Sequence, residues 1–355
     1  MRTFMGRLAV GLSVVVLAGS SAALGQATPT KKKSDEPKRP LVFGSVQAKP
    51  RTPGTIRLAA YNAENLFDNK DDPSLSGEED DMSSVKPEPA LRGLANTIRK
   101  IDADIIGLEE IESYDALIAF RERYLKGQGY DHVVSIDVGA ERGIEQSVMS
   151  RFPIVEAQVW PTLPLEGTQP ALFNGKANKL AGKPLECRRS PLRVTVEVPA
   201  KKDDATSKPY RITLFVVHQK AGKGNEYWRE AESVRFVQLV HEYESQHPGA
   251  NVAIMGDFND GPEAKSVRTY VDAGLTDLFA SRSPGDPAML THASGRTIDF
   301  IFYNKALAPE IVTESAFILS TPQLDPDADW RTAPKPEGYA SDHEPVVVDV
   351  KPRDE

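Results

Sequence analysis

The stretch VAIMGDFND, residues 252–260, decides the fold: an apolar run stops at Gly256, and Asp257, Asn259 and Asp260 follow at once. A short apolar run rich in branched side chains and closed by glycine reads as a buried strand. Its end is then a rigid arm for a carboxylate and an amide, and a reacting site needs placement within about 0.5 Å. The same pattern recurs along the chain. Asn62 and Glu64 close IRLAAYNAE, Glu109 and Glu110 close DIIGLEE, His218 closes RITLFVVH, Asp299 opens DFIFYN, and Asp342 with His343 precedes PVVVDV. One such end is ordinary turn chemistry. Six together need a common cause, because converging carboxylates raise one another's pKa unless a cation lies between them. Oxygen donors with few His and no useful Cys suit a hard ion such as Mg2+ or Mn2+.

Between these strands and others at HVVSID, SVMSR and LRVTVEV, helical periodicity falls at 88–100, 113–126, 225–247 and 262–273. Many strands follow one another without a helix between them, and the helices come singly. This predicts an α/β architecture of two packed, mixed or antiparallel sheets with helices outside, not a doubly wound parallel sheet. Residues 68–89, dense with acids, and 161–183, rich in Pro, Gly and Asn, read as long loops. The acidic loop is a candidate for a structural Ca2+, although its acids lack a recognised ligand spacing.

Taken in order, YNAEN, GLEEIE, VMSRFP, VVHQKAG, MGDFND, TIDFIFYN and SDHEP resemble the endonuclease/exonuclease/phosphatase superfamily over residues 55–351, in the flavour of its secreted bacterial members. The resemblance implies a four-layer α/β/β/α sandwich with the site at one end of the two sheets. It also implies roles. Glu110 is the principal metal ligand, with Asn62 and Glu64 beside it and Asp342 a further metal-side acid. Asp257 orients or deprotonates the attacking water, and Asn259 holds the phosphate or the nucleophile. His343, with Asp299 as its carboxylate partner, acts at the scissile phosphate, and His218 donates to a phosphate oxygen. Which of Asp257 and the Asp299–His343 pair is the base stays open, because coupled groups titrate together. Many members carry an Asn just before the histidine that His218 matches. Here Val216 and Val217 stand instead, which removes one polar contact to the phosphate. Arg142, Arg189 and Lys220 fall near motif positions and are the cations expected on substrate phosphates. Glu109 reads as a structural or solvated neighbour of Glu110, because successive strand residues face opposite sides. His132, His241, His247 and His292 read as structural or surface residues.

The 355 residues, 40% of them apolar, can hold a sizeable core. Arg2 and Arg7, the apolar stretch 8–18 and a small-residue end at Gly25 read as a secretory signal over 1–25, too short for a membrane span. Residues 26–54, rich in Pro, Lys and Ser, read as a disordered leader before a domain at 55–352. Cleavage takes two arginines and no acid, moving the net charge from −8 to −10. So acidic a chain argues against capture of nucleic acid by a broad basic stripe, though not against a small cationic site. The lone Cys187 cannot form an intrachain disulfide, so the core alone holds the fold. The expectation is a monomeric, secreted or periplasmic, metal-dependent phosphodiester hydrolase acting on DNA or RNA. A phosphatase or phosphodiesterase acting on a lipid headgroup or inositol phosphate is the alternative. A binding protein on a retired enzyme fold is the third reading, disfavoured because clustered charge is costly to keep.

Overall fold

The computed structural model describes residues 43–70, 85–140, 142–200, 208–281, 286–325, 328–329 and 332–353. The expected signal segment, most of the expected leader and most of the acidic loop lie outside them. Residues 43–54, assigned by sequence to a disordered leader, instead pack on the domain. Phe43 is 1% exposed, Lys49 Nζ donates to the carbonyls of Glu314 and Ala316 at 2.8 Å, and the Thr52 amide donates to Asp349 at 2.7 Å. Proline and lysine content misread this segment because its partners are remote backbone carbonyls and acids.

In chain order the elements are β1 Ile56–Leu66, α1 Glu88–Ile101, β2 Ile105–Ile111, α2 Tyr114–Tyr124, β3 His132–Ser135, β4 Glu145–Ser150, β5 Ile154–Gln158, β6 Pro164–Thr168, β7 Leu172–Phe173, β8 Lys176–Ala177 and β9 Pro184–Glu186. They continue with β10 Leu192–Val198, β11 Tyr210–His218, α3 Glu226–Gln246, β12 Asn251–Asp257, α4 Lys265–Asp272, β13 Thr276–Asp277, β14 Asp299–Tyr303, β15 Ile311–Ile318 and β16 Val346–Val350. The helices start where local chemistry allows. Glu88 and a proline open α1, and Ser113 Oγ accepts the Ala116 amide to cap α2. The helix expected from residue 262 starts at Lys265, after a turn closed by the Ala264 amide on the Gly261 carbonyl.

Two six-stranded mixed sheets result, ordered β15-β16-β1-β2-β4-β3 and β13-β14-β12-β11-β10-β5. Each has one parallel pair, β1–β2 and β11–β12, joined through α1 and α3 respectively; the pairings on either side of each parallel pair are antiparallel. Three apolar layers account for the stacking. Ile56, Leu58 and Ala60 meet Leu214, Val216, Ala253 and Met255 between the sheets. Ala59, Tyr61 and Leu108 face Leu94, Ile98 and Leu117 of α1 and α2. Phe215, Val252 and Ile254 face Trp228, Phe236 and Val240 of α3. The order is therefore α/β/β/α, as expected. Each fully buried branched side chain contributes about 1.5–3 kcal/mol to that packing.

Among the described residues no helix is long and apolar enough to cross a membrane. The expected long loop 161–183 is not irregular. It forms an antiparallel ribbon from β6 with β9 and β7 with β8. Asn174 and Gly175 make its tip, both at positive φ, the two-residue turn that matches strand twist.

Glu145 opens β4 buried to 2% exposure. Burial pushes its carboxyl up to about 8, with Asp137 adding to the shift and the Val138 amide opposing it. Between its ordinary value of 4.5 and about 8 the folded chain holds a proton that the unfolded chain has released. Folding stability should therefore fall as pH rises through that window, by about 1.4 kcal/mol per unit at most from this group. Urea melts of Glu145→Gln should show a flatter pH dependence than the parent; an unchanged slope would remove this assignment.

Candidate active site

Strand pleating explains which side chains meet. On β12 the inter-sheet face takes Ala253 and Met255, so Asp257, two residues on, faces the same way. The same parity carries Val216 to His218 on β11, Ile301 back to Asp299 on β14, Ala60 to Asn62 on β1 and Ile105 to Glu109 on β2. Register completes the arrangement. His218 lies beside Asp257 and Asp257 beside Asp299 in one sheet, with Asn62 beside Glu109 in the other. The parallel pairs end at the same edge of the sandwich. Polar residues collect there because they are the last inward-facing positions of apolar strands.

Glu110 belongs by parity to the helix side, yet it joins the cluster through irregular backbone. The β1–β2 register shifts between Asn62 and Leu66, and the β2–β4 register shifts between Leu108 and Ile111. Glu64, Asn65, Glu110 and Asn259 all have positive φ, at 49°, 56°, 62° and 53°. Left-handed backbone in four non-glycine residues of one site is strain held by the surrounding fold.

Glu109 is therefore not a solvated neighbour. Alternation along β2 turns Glu109, in step with Ile105, between the sheets. It is 0% exposed, and neither carboxylate oxygen has a hydrogen-bond partner among the described residues. Burial, then the charges of Asp299 and Asp257, push its pKa well above the ordinary value. Gly256 in the opening stretch makes room for it. With φ at 134°, a Cβ there would lie 2.6 Å from Glu109 Oε1 and 2.2 Å from the Val217 carbonyl.

Asp257 is held on both oxygens. Oδ1 accepts the Asn259 amide at 2.8 Å, and Oδ2 accepts Asn259 Nδ2 at 2.9 Å and Asn62 Nδ2 at 3.3 Å. Burial raises it to about 6, with Asp299 adding and His343 opposing. His343 Nδ1 faces both oxygens of Asp299 at 2.9 and 3.0 Å, while Nε2 lies 3.8 Å from Asp257 Oδ2 and 3.9 Å from Asp342 Oδ1. Burial alone would lower the imidazole's pKa. Asp299 and then Asp257 outweigh it and hold the ring well above its ordinary value.

His218 is the opposite case. Its Nε2 accepts from Arg189, and it lies 3.4 Å from Asp257 and 3.7 Å from Glu110. Burial, then the cations Arg189 and Arg142, hold its pKa well below the ordinary value, so the ring is neutral. With Nε2 accepting from that guanidinium, which also donates to the Gln219 carbonyl at 3.3 Å, the proton of the neutral ring sits on Nδ1, which has no hydrogen-bond partner among the described residues.

On the metal side, Glu110 Oε2 accepts the Asn65 amide at 3.1 Å and Oε1 accepts Arg142 at 3.2 Å. Glu64 accepts from Tyr339 Oη at 2.7 Å and faces Lys335 at 3.4 Å. Burial, then the charge of Asp342, raise Glu64 against the pull of Lys86. Asp342, part-exposed, lies 3.3 Å from His292 Nε2. Burial works against its ionisation, but the His292 hydrogen bond and the charge of His343 hold it below the usual carboxylate range. The oxygens of Glu64, Glu110 and Asp342 are hard donors from three separate elements. Each leans on cations of the chain itself, and Glu64 and Asp342 feel each other's charge. That donor set fits a hard divalent ion. Convergence is a separate matter: among the described residues the groupings that bring possible ligand atoms within 4.8 Å of one another are His292, Asp342 and His343, and Asp257, Asp299 and His343, and the set of Glu64, Glu110 and Asp342 is not one of them.

The Asn62 side chain bridges the two sides of the site: its amide nitrogen goes to Asp257 and its oxygen accepts the Glu64 amide at 2.9 Å. Lys220 Nζ lies over the Trp228 ring at 5.6 Å. His292, read from sequence as structural or surface, is at the site. Its ring meets His343 edge-on at 4.6 Å, and its Nδ1 accepts the Ser294 amide at 2.9 Å, which leaves the proton on the nitrogen facing Asp342. Asp260, adjacent to the motif, is structural: it accepts from Arg229 and Ser266 at 3.0 and 2.9 Å.

Residues 60–343 match the Endonuclease/Exonuclease/phosphatase family. No curated protein matches significantly. Among solved structures the chain is similar to the human Nocturnin catalytic domain, at 15% identity and a TM-score of 0.51, with 88% of this chain and 99% of that chain covered. It is also similar to an endonuclease/exonuclease/phosphatase from Bacteroides vulgatus, at 14% identity and a TM-score of 0.50, covering 84% and 99%. At such identities the structural likeness carries the fold alone. The family match spans every strand end that supplies the site, and on it the chain belongs to the endonuclease/exonuclease/phosphatase family of hydrolases.

Proposed function

We infer that the chain is an exported, metal-dependent phosphodiesterase that cleaves nucleic acid. The observation that carries the chemistry is the facing pair at the sheet ends: Asp257, fixed by Asn259 and Asn62, opposite His343, fixed by Asp299. A carboxylate pinned by two amides is suited to orient water and accept its proton. An imidazolium whose Nδ1 is tied to Asp299 presents Nε2–H to a phosphoryl oxygen. As the water oxygen bonds to phosphorus and the leaving P–O bond breaks, negative charge grows on the phosphoryl oxygens. Arg189, against His218, and Arg142, against Glu110, are the site's cations that would meet that charge. A divalent cation, Mg2+ or Mn2+, held by Glu110, Glu64 and Asp342 would supply Lewis-acid stabilisation of the phosphate. Arg142 would then move from Glu110 to the substrate. Export rests on the charged, apolar and small-residue succession in residues 1–25.

One observation favours the second reading, a compact substrate such as an inositol phosphate. A pocket of about 380 Å³ beside Glu64 is lined in part by Lys86, Lys335 and Tyr339, groups that suit a second phosphate. EDTA is expected to abolish hydrolysis of bis(p-nitrophenyl) phosphate and Mg2+ or Mn2+ to restore it; full activity in chelator would sink the mechanism. The same assay on DNA, RNA, sphingomyelin and phosphoinositides separates the two readings.

A further inference from the structure

The strongest unassigned feature is a run of cations beside the site on an acidic chain. Acids number 51 in 355 residues, yet residues 167–183 and 217–225 contain none and carry Lys176, Lys179, Lys183, Lys220 and Lys223. The first segment is the outer part of the ribbon β6–β9 and the second is the loop leaving His218. Structure joins them. Asn174 Nδ2 at the ribbon tip reaches the Lys223 carbonyl at 3.5 Å, and Tyr227 Oη donates to Gln169 Oε1 at 3.0 Å. At the ribbon root, Leu163, Leu165 and Leu185 pack with Trp228 of α3. Trp228 Nε1 donates to the Glu186 carbonyl at 3.0 Å, while Arg188 and Lys220 both lie over its ring. Arg189, next in sequence to Arg188, reaches His218 itself.

The ribbon is built to hold its shape. The Gln169 amide donates to the Lys183 carbonyl at 2.8 Å, the Gly182 amide to Gln169 at 2.9 Å and the Asn178 amide to Ala171 at 2.9 Å. Lys176, Lys179, Lys183 and Lys223 are exposed and make no ion pair among the described residues. Glu166 and Glu186 lie at the root, away from the tip.

We propose that this ribbon and loop form a binding surface for a polynucleotide strand, leading its backbone from the lysine-bearing tip to the reacting phosphate at Arg189 and His218. The proposal rests on the nuclease reading and names its substrate as a polymer rather than a compact phosphate ester. Lysines spaced along a rigid ribbon match a repeating line of phosphates, and each neutralised phosphate releases condensed counterions. Segregating them on a chain of net charge −8 confines attraction to the face that ends at the site. A bilayer fits less well. Leu172 is the large apolar side chain most exposed at the tip, with Leu180 behind it, and binding to a membrane surface needs a broader apolar face.

The test compares the full chain with a variant carrying Lys176→Gln, Lys179→Gln and Lys183→Gln. Binding to a fluorescent 30-nucleotide single-stranded DNA is measured by anisotropy in EDTA, so that nothing is cleaved, across a salt series. Loss of three phosphate contacts should weaken binding at least about tenfold and reduce the slope of log affinity against log salt by about 2. Hydrolysis of bis(p-nitrophenyl) phosphate should stay within twofold, which also shows that the variant is folded. Unchanged oligonucleotide affinity and slope would overturn the proposal. So would lysine-dependent binding of the parent to phosphatidylserine vesicles with none to the oligonucleotide. If the parent fails to hydrolyse the small diester with metal present, the catalytic reading falls, and the binding measurement still decides the surface by itself.

Discussion

Asp257→Asn lowers turnover on bis(p-nitrophenyl) phosphate by about a thousandfold, within the range for loss of a positioned general base. The carboxylate accepts from three donors supplied by Asn259 and Asn62. An amide in its place has one oxygen for these donors and turns an NH2 against the rest, so it loses both basicity and alignment. A buried donor left without an acceptor also costs stability. Melting temperature measured alongside turnover separates the two, because a structural residue changes melting and spares the rate per folded molecule. The parent's pH profile gives a second handle. A base raised to about 6 by burial must be ionised to act, so the rate rises as pH climbs through that region. A cation bound at Glu110 would shift the limb downward, because positive charge favours the ionised form. A folded Asp257→Asn enzyme within tenfold of the parent rate would move the base elsewhere.

The strand ends were legible because pleating is a strict period of two. Once Met255 is assigned to the core between the sheets, Asp257 must follow it, and the same holds for Val216 with His218 and Ile301 with Asp299. Glu110 was found by resemblance and could not be placed by period, since it reaches the site only through shifted register and positive φ. For Glu109 the period leaves structural and solvated readings open until it is counted from Ile105, which turns the side chain inward. His292 was hidden because its partner, Asp342, lies fifty residues away and an isolated bridge to His343 brings them together. The strand Ile311–Ile318 passed unnoticed because Thr313, Glu314 and Ser315 interrupt its apolar run. Its register with β16 slips across that interruption. The ribbon was announced by Asn174-Gly175, a hairpin signal lost among the prolines and glycines that made the segment look irregular.

His343→Ala should cost at least about a hundredfold in turnover, and Asp299→Asn less. The ring has its Nδ1 against both oxygens of Asp299 and its Nε2 free to face a substrate between Asp257 and Asp342. Removing it deletes an imidazolium that His218 cannot replace, for His218 is kept neutral by burial and Arg189. Asp299→Asn keeps the ring but replaces the anion that outweighs burial in holding His343 protonated. The imidazole pKa should therefore fall, and a donor that must be protonated is then lost at lower pH. The alkaline limb of the rate profile should move down in Asp299→Asn, with the low-pH rate closer to the parent. A structural pair would behave otherwise: both variants would melt earlier, and neither would shift the limb. Turnover per folded molecule and the alkaline limb, measured on both variants, decide between these. A well-folded His343→Ala enzyme with near-parent turnover would defeat the assignment of His343 as the group that meets the phosphate.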